Sequence, residues 1–264
     1  MSKYLSFFKT SIKSEFTYKA DFILSMLINS LFFFIYYAVW KAVYINNGTV
    51  EISTYTLSAT ITYYFITSLL FRIDISNFVY MGWMVWTGEF SNDLVKPWSP
   101  KLIHAILPIT DVIINFLLYI PVMLVIYIFT SQYILIPNLL TLFYFIITVC
   151  LSIILSLIIN LGLNSLVFFF GDQESNIGLI NYLMAFMAGA FFPLVFLPHS
   201  ISKIFYILPF KYLFDVPINV YLGRFSSIDI FKGWISMILW ILVFYLLFKF
   251  VYAKGLKRYT GTGR

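Results

Sequence analysis

Few residues in this sequence have the type and spacing that catalysis or metal binding needs. His104 and His199 lie far apart in the chain and form no His-x-x-x-His pair, so neither is predicted to bind a metal ion. Ser200 follows His199 and Asp215 lies downstream, but no strand–turn–helix pattern surrounds the serine. We therefore expect no acyl-transfer site.

Nucleotide and thiol chemistry are not expected in this chain either. Neither the glycines from Gly82 to Gly88 nor those from Gly255 to Gly263 have the GxxxxGK[ST] spacing of a phosphate-binding loop. The single cysteine, Cys150, lies within an apolar run, so it can form no internal disulfide and no thiolate cluster. The sequence thus predicts no catalytic residue, no metal site and no cofactor in this chain.

The composition predicts an integral membrane protein. Of the 264 residues, 61% are hydrophobic and 11% are charged, whereas soluble domains have about half apolar and about a quarter charged residues. Only α-helices satisfy their own backbone hydrogen bonds across lipid. The basic residues lie between and beside the apolar runs, so the net charge of +6 does not indicate a nucleic-acid surface. The predicted fold is one all-α transmembrane domain.

Six apolar segments are predicted to span the bilayer, which puts both termini on one side. The predicted spans are residues 22–44, 55–71, 102–129, 139–170, 177–197 and 233–252. With cytoplasmic termini, twelve of the 17 basic residues fall inside and five outside, as the positive-inside rule favours. Abundant Ile, Phe, Tyr, Asn and Lys are typical of an AT-rich bacterial genome, so we expect a bacterial cell-membrane protein.

The third and fourth spans exceed the length of about 20 residues that crosses the hydrocarbon, and they are predicted to project into the cytoplasm. Pro108 and Pro121 are predicted to bend the third span, because proline removes a backbone donor. Asp111 is the only acid squarely within a predicted span. Snorkelling or pairing with Lys101 is favoured over a transport role, which stays open.

The N-terminal segment, residues 1–20, is predicted to be an amphipathic helix on the membrane surface. Leu5, Phe8, Ile12 and Phe16 follow a three-then-four spacing that gathers them on one helical face. Flanking lysines suit the anionic lipid of an inner leaflet.

Residues 198–232 are predicted to form short broken helices that re-enter the outer leaflet between the fifth and sixth spans. The interruptions are Pro198, Pro209, Pro217, Gly223 and Arg224. A straight seventh span over residues 204–221 is the alternative. Lys211 and Asp215 at its centre make full burial of that span costly.

The fifth span contains small residues that permit close helix packing. Ala185 and Gly189 form a small-xxx-small pair, which suits packing within the chain or against a second subunit. Pro193 is predicted to end or bend this helix.

Residues 72–101, predicted to be cytoplasmic, form the most informative stretch. Their exposed aromatic and apolar side chains need a protein partner or the membrane interface; these are Phe78, Val79, Trp83, Val85 and Trp86. One interpretation is an interfacial helix that caps the bundle. The other is a short helix that docks into another protein, with Gly88 making a turn, Pro97 ending the segment and charges fixing the orientation.

Three features together resemble the permease subunits of type-2 ABC exporters. TGEFSNDLVKPWSP, residues 87–100, is similar to the family segment in which a coupling helix meets the ATPase. GAFFPLVFLP, residues 189–198, followed by ILPF at 207–210, resembles the fifth span and outer re-entrant element. The order of an amphipathic helix, six spans and a basic tail also matches. The tail, residues 255–264, is similar to the branch in which paired permeases work beside a separate ATPase, although that branch often has Arg where this chain has Lys96.

The resemblance implies a permease that pairs with itself or a sister permease and with two copies of an ABC ATPase, which binds ATP and Mg²⁺. It implies export of a drug, peptide, lipid or similar amphipathic substrate along a path between subunits, lined by the second and fifth spans. The implied ATPase-coupling residues are Trp86, Gly88, Glu89, Phe90, Asp93, Lys96 and Pro97, with Glu89 and Asp93 as preferred contacts. Those implied for the fifth span and outer element are Ala185, Gly189, Pro193, Pro198 and Pro209.

Other classes of membrane protein remain open on the sequence. An ion-coupled secondary carrier should show buried charges near the bilayer midplane or symmetric broken helices, and Asp111 is a poor substitute for these. A membrane-embedded enzyme should gather several His, Asp or Glu residues at one interface, and no such cluster is present. A non-transporting immunity or assembly protein is not distinguished from an exporter by sequence.

Overall fold

The computed structural model describes residues 19–75, 80–96, 99–170 and 174–260, and most of these residues are helical. In chain order the helices are α1 (Lys19–Asn47), α2 (Leu57–Ile73), α3 (Tyr80–Thr87), α4 (Phe90–Leu94), α5 (Pro100–Thr130), α6 (Leu139–Ser165), α7 (Val167–Phe170), α8 (Glu174–Met187), α9 (His199–Ile207), α10 (Asp215–Tyr221) and α11 (Ser227–Arg258). Strands β1 (Glu51–Ile52) and β2 (Tyr55–Thr56) pair antiparallel between α1 and α2. The predicted interfacial helix before α1 lies outside the described residues.

Within the described ranges, four helical segments are long and apolar enough to cross a membrane. They are Met26–Asn46, Pro100–Tyr133, Leu139–Phe170 and Ser227–Arg258, and Leu57–Ile73 and Ile177–Met187 are shorter apolar helices. These six segments follow the order of the six predicted spans. The all-α membrane class is therefore confirmed, while a total of six crossings stays a prediction, because α2 has 17 residues and α8 has 14.

The fifth predicted span is shorter than the sequence indicated. Its helix, α8, ends at Met187 rather than at Leu197, so Pro193 neither ends nor bends it. Gly189, at a φ of 84°, takes the left-handed conformation that terminates helices. Its N–H donates to the carbonyl of Phe186, and the next N–H, that of Ala190, donates to Ala185, which is the Schellman pattern.

The other boundaries differ by smaller amounts. The second span begins at Leu57, because Thr56 caps α2 by accepting a 3.2 Å hydrogen bond from the N–H of Ala59. The sixth span lies within a longer helix, α11, capped by Ser226. Helix α5 continues across both Pro108 and Pro121, the two prolines predicted to bend it.

The segment from 198 to 232 contains three short helical pieces rather than one helix. Helix α9 ends at Ile207, a 3₁₀ turn covers Pro209–Tyr212, and α10 begins at Asp215. Leu208 between the first two is extended, with φ −74° and ψ 152°, so a straight seventh span over residues 204–221 is wrong. The depth of this segment in the membrane stays a prediction.

Three buried apolar clusters hold the described helices together. The first joins α2, α6, α10 and α11 and includes Tyr63 and Leu155. The second joins α3, α4, α7 and the C-terminal part of α11 around Phe90 and Tyr252. The third joins α1, α2 and α5 around Phe33. The second cluster positions the predicted coupling segment, and the first positions the outer segment.

Candidate functional site

A tight turn at Gly88 joins helices α3 and α4 in the predicted coupling segment. Gly88 has a φ of 84°, which side-chain-bearing residues rarely adopt. Its carbonyl accepts a 3.2 Å hydrogen bond from the N–H of Ser91, in the first turn of α4. The turn expected at Gly88 is therefore present, and Glu89 beside it is exposed.

Phe90 anchors this turn to the rest of the protein. Its side chain is 0% exposed and stacks on His104 at a ring-centroid distance of 5.7 Å. The rings of Phe168 and Tyr259 each lie 5.6 Å away in edge-to-face geometry. Such aromatic contacts stabilise a core beyond the area that they bury. Phe90, predicted as a docking residue, is thus a buried anchor of α4.

The C-terminal part of α11 packs very closely against α7 beneath this anchor. A Cβ atom at Gly255 would lie 2.5 Å from Cδ2 of Phe168 and 2.7 Å from its Cβ. Only glycine fits at this point of α11. The hydroxyl of Tyr259 then donates a 2.8 Å hydrogen bond to the carbonyl of Gly88.

Helix α3 is tied to α6 by a buried polar contact. The N–H of Gly82 donates a 2.9 Å hydrogen bond to Oδ1 of Asn164. The side-chain Nδ2 of Asn164 donates in turn to the backbone carbonyl of Asn160, one turn earlier in α6. Because a buried hydrogen bond between fixed groups also fixes their orientation, α3 and the end of α6 are positioned together.

Asp93, predicted to contact an ATPase, faces inward in this structure, and that contact stays a prediction. It is 3% exposed, its Oδ1 lies 2.8 Å from Nζ of Lys96, and its Oδ2 lies 3.1 Å from Nε2 of His104. In this conformation its carboxylate holds α4 against α5. Lys96 remains largely exposed.

The outward face of the segment is small and mixed in character. We call Glu89, Leu94, Val95 and Lys96 the coupling surface. Val95 is 84% exposed and Leu94 is 42% exposed, and both charged side chains are exposed. Trp86, predicted as a coupling residue, is half-buried against the second cluster. Pro97 lies outside the described residues.

On the opposite side of the bundle, Gly189 closes a second tight junction. The hydroxyl of Tyr63, in α2, donates a 2.6 Å hydrogen bond to the carbonyl of Gly189. A Cβ at Gly189 would lie 2.9 Å from that hydroxyl and 3.1 Å from Cβ of Asp215. The glycine expected to support helix packing therefore serves a turn between α8, α2 and α10, while Ala185 is half-buried beside it.

Asp215 is buried at the start of α10, outside the long and shorter apolar helices. Its N–H donates to the carbonyl of Ala188 at 2.9 Å, and its Oδ1 accepts from the N–H of Leu194 at 3.2 Å. Burial raises the pKa of Asp215 to about 6 from an ordinary 3.8. His199 and Ser200 are exposed, so Asp215 forms no catalytic trio with them.

A hydrogen-bonded chain links the β-hairpin to α10. The hydroxyl of Tyr55 donates to Oδ1 of Asn219 at 2.6 Å, and Nδ2 of Asn219 donates to the carbonyl of Asp215 at 2.8 Å. The guanidinium of Arg224 lies 4.0 Å from the centroid of the Tyr55 ring and donates to Thr54. Polar residues in an otherwise apolar outer segment were the available sequence signal for this network.

The three predicted prolines of the outer segment lie at breaks between its helical pieces. Pro193 precedes the 3₁₀ turn Leu194–Phe196, Pro198 is the N-cap of α9, and Pro209 opens the next 3₁₀ turn. Pro193 and Pro209 are buried. Because proline fixes φ and donates no backbone hydrogen bond, it suits these positions.

A cavity of about 470 Å³ lies along α1 and α2. It is lined mainly by apolar and aromatic side chains, with few polar groups; the lining residues are Ile28, Asn29, Phe32, Phe33, Tyr36, Tyr64, Thr67, Ser68, Phe71, Arg72, Tyr182 and Phe191. The family resemblance implied a path lined by the second and fifth spans, and this cavity is lined by residues of α1 as well as α2 and α8. Among the described residues, no group of three or more His, Cys, Asp or Glu could hold a metal ion.

The amino-acid sequence of this chain matches a known family. Residues 22–263 match the family described as ABC-2 family transporter protein, and the chain belongs to this family. It is therefore a multi-pass membrane protein and a permease of an ABC transporter. Permeases of this family are generally non-catalytic membrane components that work with an ATPase subunit. No curated protein matches the chain.

Proposed function

We propose that this chain is the permease of an ATP-driven exporter that moves an amphipathic substrate across the bacterial cell membrane. A separate ATPase, in two copies, binds ATP and Mg²⁺ and supplies the energy. A second permease, identical or a sister chain, completes the path, and both termini are cytoplasmic. The observation that carries the proposal is the coupling surface, which is exposed on a segment firmly anchored to the long helices.

The anchoring provides a route by which movement of a docked ATPase would reach the membrane helices. Force applied at Glu89 acts on α4, whose Phe90 is enclosed by the rings of Phe168 in α7 and Tyr252 in α11. The hydrogen bond between Gly82 and Asn164 joins α3 to α6. ATP-driven closure of the two ATPase copies would thus shift α6 and α11 together and alter access to the cavity.

The cavity is suited to a hydrophobic or amphipathic substrate. Its walls are aromatic and aliphatic, whereas polar groups concentrate at Asn29, Ser68 and Arg72. Ligand sites of this kind bind the apolar body of a ligand and orient it through few polar contacts.

The exposed face of α8 supports pairing with a second permease. Leu179 is 62% exposed, Tyr182 is 68% exposed and Leu183 is 53% exposed. Tyr182 also lines the cavity. A partner that packs on this face would complete the cavity wall, whereas lipid would cover the same face in a monomer.

An ion-coupled carrier is the second candidate, because Asp215 is a buried acid, although it lies outside the long and shorter apolar helices. Its carboxylate accepts a hydrogen bond from the Leu194 backbone, and its own N–H is bonded to Ala188. These contacts suit a structural role at a turn better than cation release and uptake.

The first test is affinity purification of the gently solubilised chain from its native membrane, with the co-purifying proteins identified by mass spectrometry. We expect a stoichiometric ABC ATPase. The Glu89→Arg variant should insert normally but lose the ATPase, because it reverses a charge on the coupling surface. Glu51→Arg, at an exposed acid on the β-hairpin, is the matched control. Reproducible absence of an ATPase from the wild-type sample would contradict the exporter function.

A further inference from the structure

The cavity along α1 and α2 has a directional arrangement of polarity. Consecutive helices α1 and α2 run antiparallel, and Nδ2 of Asn29 donates to the carbonyl of Ser68 at 3.3 Å. Farther along, the rings of Tyr36 and Tyr64 stack at 4.4 Å. On α2 these levels lie four residues apart, from Tyr64 to Ser68, which corresponds to about 6 Å along a helix. The tyrosine pair marks one end of the cavity.

Arg72 marks the other end. It is the only charged residue among the described residues that line the cavity. It lies in the last turn of α2 and is half-buried, with its guanidinium carbon 5.3 Å from the centroid of the Tyr119 ring. By the predicted topology this end faces the cytoplasm.

The position of Arg72 differs from that of an arginine that only marks membrane topology. Arg258, at the cytoplasmic end of α11, is exposed, although its guanidinium also lies near a ring, 5.9 Å from that of Phe169. Arg72 instead places a cation at the end of an apolar cavity. Apolar walls strengthen the attraction between a guanidinium and an anion, and the fork geometry of the guanidinium matches phosphate oxygens.

We propose that this cavity binds an anionic amphiphile, with its phosphate group at Arg72 and its apolar chain along Phe32, Phe33 and Phe71. That the cavity is part of a transport path rests on the function proposed above. The substrate class then becomes a phosphate-bearing, lipid-like molecule that enters from the cytoplasmic leaflet. Zwitterionic and cationic amphiphiles of equal chain length are discriminated against at Arg72.

The test uses the full chain in phosphatidylcholine nanodiscs and radiolabelled dodecyl phosphate, with binding counted above that of empty discs. We expect dodecyl phosphate to bind saturably. Dodecylphosphocholine should bind at least about tenfold more weakly, because its headgroup has no net charge. Arg72→Gln should weaken the binding of dodecyl phosphate about tenfold, whereas Arg72→Lys should retain most of it. Arg258→Gln is the matched control and should bind as the wild type does.

Three results would overturn the inference. One is equal affinity for dodecyl phosphate and dodecylphosphocholine, which the wild type alone can reveal if Arg72→Gln fails to fold. A second is unchanged affinity in Arg72→Gln. A third is displacement of dodecyl phosphate by an equal concentration of inorganic phosphate, which would indicate a free-phosphate site. No ATPase takes part in this assay, so its outcome is separate from that of the co-purification experiment.

Discussion

The hydroxyl of Tyr259 donates a hydrogen bond of 2.8 Å to the carbonyl oxygen of Gly88, and so joins the C-terminal segment to the turn of the predicted coupling segment. The two residues lie 171 positions apart in the sequence. Since Tyr259 follows α11 directly, this bond connects the last long helix to the turn that presents Glu89.

Removing this hydroxyl should loosen the turn without unfolding the bundle. In Tyr259→Phe the ring contact with Phe90 remains, while one hydrogen bond of about 1 kcal/mol is lost. We expect amide hydrogen exchange over residues 80–96 to accelerate about fivefold. Tyr245→Phe, at an exposed tyrosine of α11, should leave that exchange unchanged. Equal exchange in the two variants would show that the bond does not hold the turn.

Adding a methyl group at Gly189 should destabilise the junction of α8, α2 and α10. Gly189→Ala would adopt an unfavourable positive φ, at about 1–2 kcal/mol, and would place Cβ 2.9 Å from the Tyr63 hydroxyl. We expect a lower midpoint of thermal unfolding in detergent. Gly178→Ala, within α8 and with no atom within 4 Å of the added Cβ, should be neutral or stabilising. A midpoint for Gly189→Ala at or above that of the wild type would contradict the turn geometry.

The contact between α11 and α7 should be sensitive to one added carbon. Gly255→Ala places Cβ 2.5 Å from Phe168, and such overpacking costs about 1–3 kcal/mol. The midpoint of thermal unfolding should fall in Gly255→Ala. Adding Phe168→Leu to that variant should restore part of the lost stability. Gly233→Ala, also in α11 but in open space, is the control. An unchanged midpoint in Gly255→Ala, with no effect of the added Phe168→Leu, would argue against close packing between α11 and α7.

Asp215 should make stability depend on pH in a definite direction. Because its folded pKa is raised to about 6 from 3.8, the folded state favours the protonated carboxyl. The stabilisation of the folded state by Asp215 is complete below the unfolded pKa and is lost as the pH rises through the folded pKa. The difference between the folded pKa and the unfolded pKa corresponds to about 3 kcal/mol of stability.

Asp215→Asn keeps an oxygen that can accept the Leu194 hydrogen bond and removes the titration. Relative to this variant, the wild type should lose thermal stability as the pH is raised from 4 to 6, and should run parallel to it above that range. Asp229→Asn, at an exposed acid near the start of α11, is the control for general pH effects. A gain in wild-type stability over the same pH range would show that the carboxylate is stabilised instead.

Much of the architecture follows from patterns that are local in the sequence. An apolar run must be helical in lipid, so its length and order predict the long helices, and Leu139 is both the predicted and the observed start of a helix. Helix ends are harder to predict. In the fifth span Pro193 is the predicted end or bend of the helix, whereas the structure ends the helix just before Gly189, around which Tyr63 and Asp215 close.

The coupling segment shows the same division between sequence and tertiary structure. Its turn at Gly88 and its short helix are readable from residue types, because a turn that needs positive φ selects glycine. Which side chains face outward is not readable, since α4 is only five residues long and shows no period. Rings from α7 and α11 pack around the inward-facing Phe90, and the imidazole of His104 contacts the inward-facing carboxylate of Asp93.

The sequence by itself determined the class of protein, the order of its membrane segments and the family to which it belongs. It did so because hydrophobic length and glycine or proline placement act within a few residues of chain. The tertiary structure alone decided that Tyr259 reaches Gly88, that Asp215 is buried and that Arg72 lies at the end of a cavity. These relations join residues distant in sequence, and only the packing of whole helices brings such residues together.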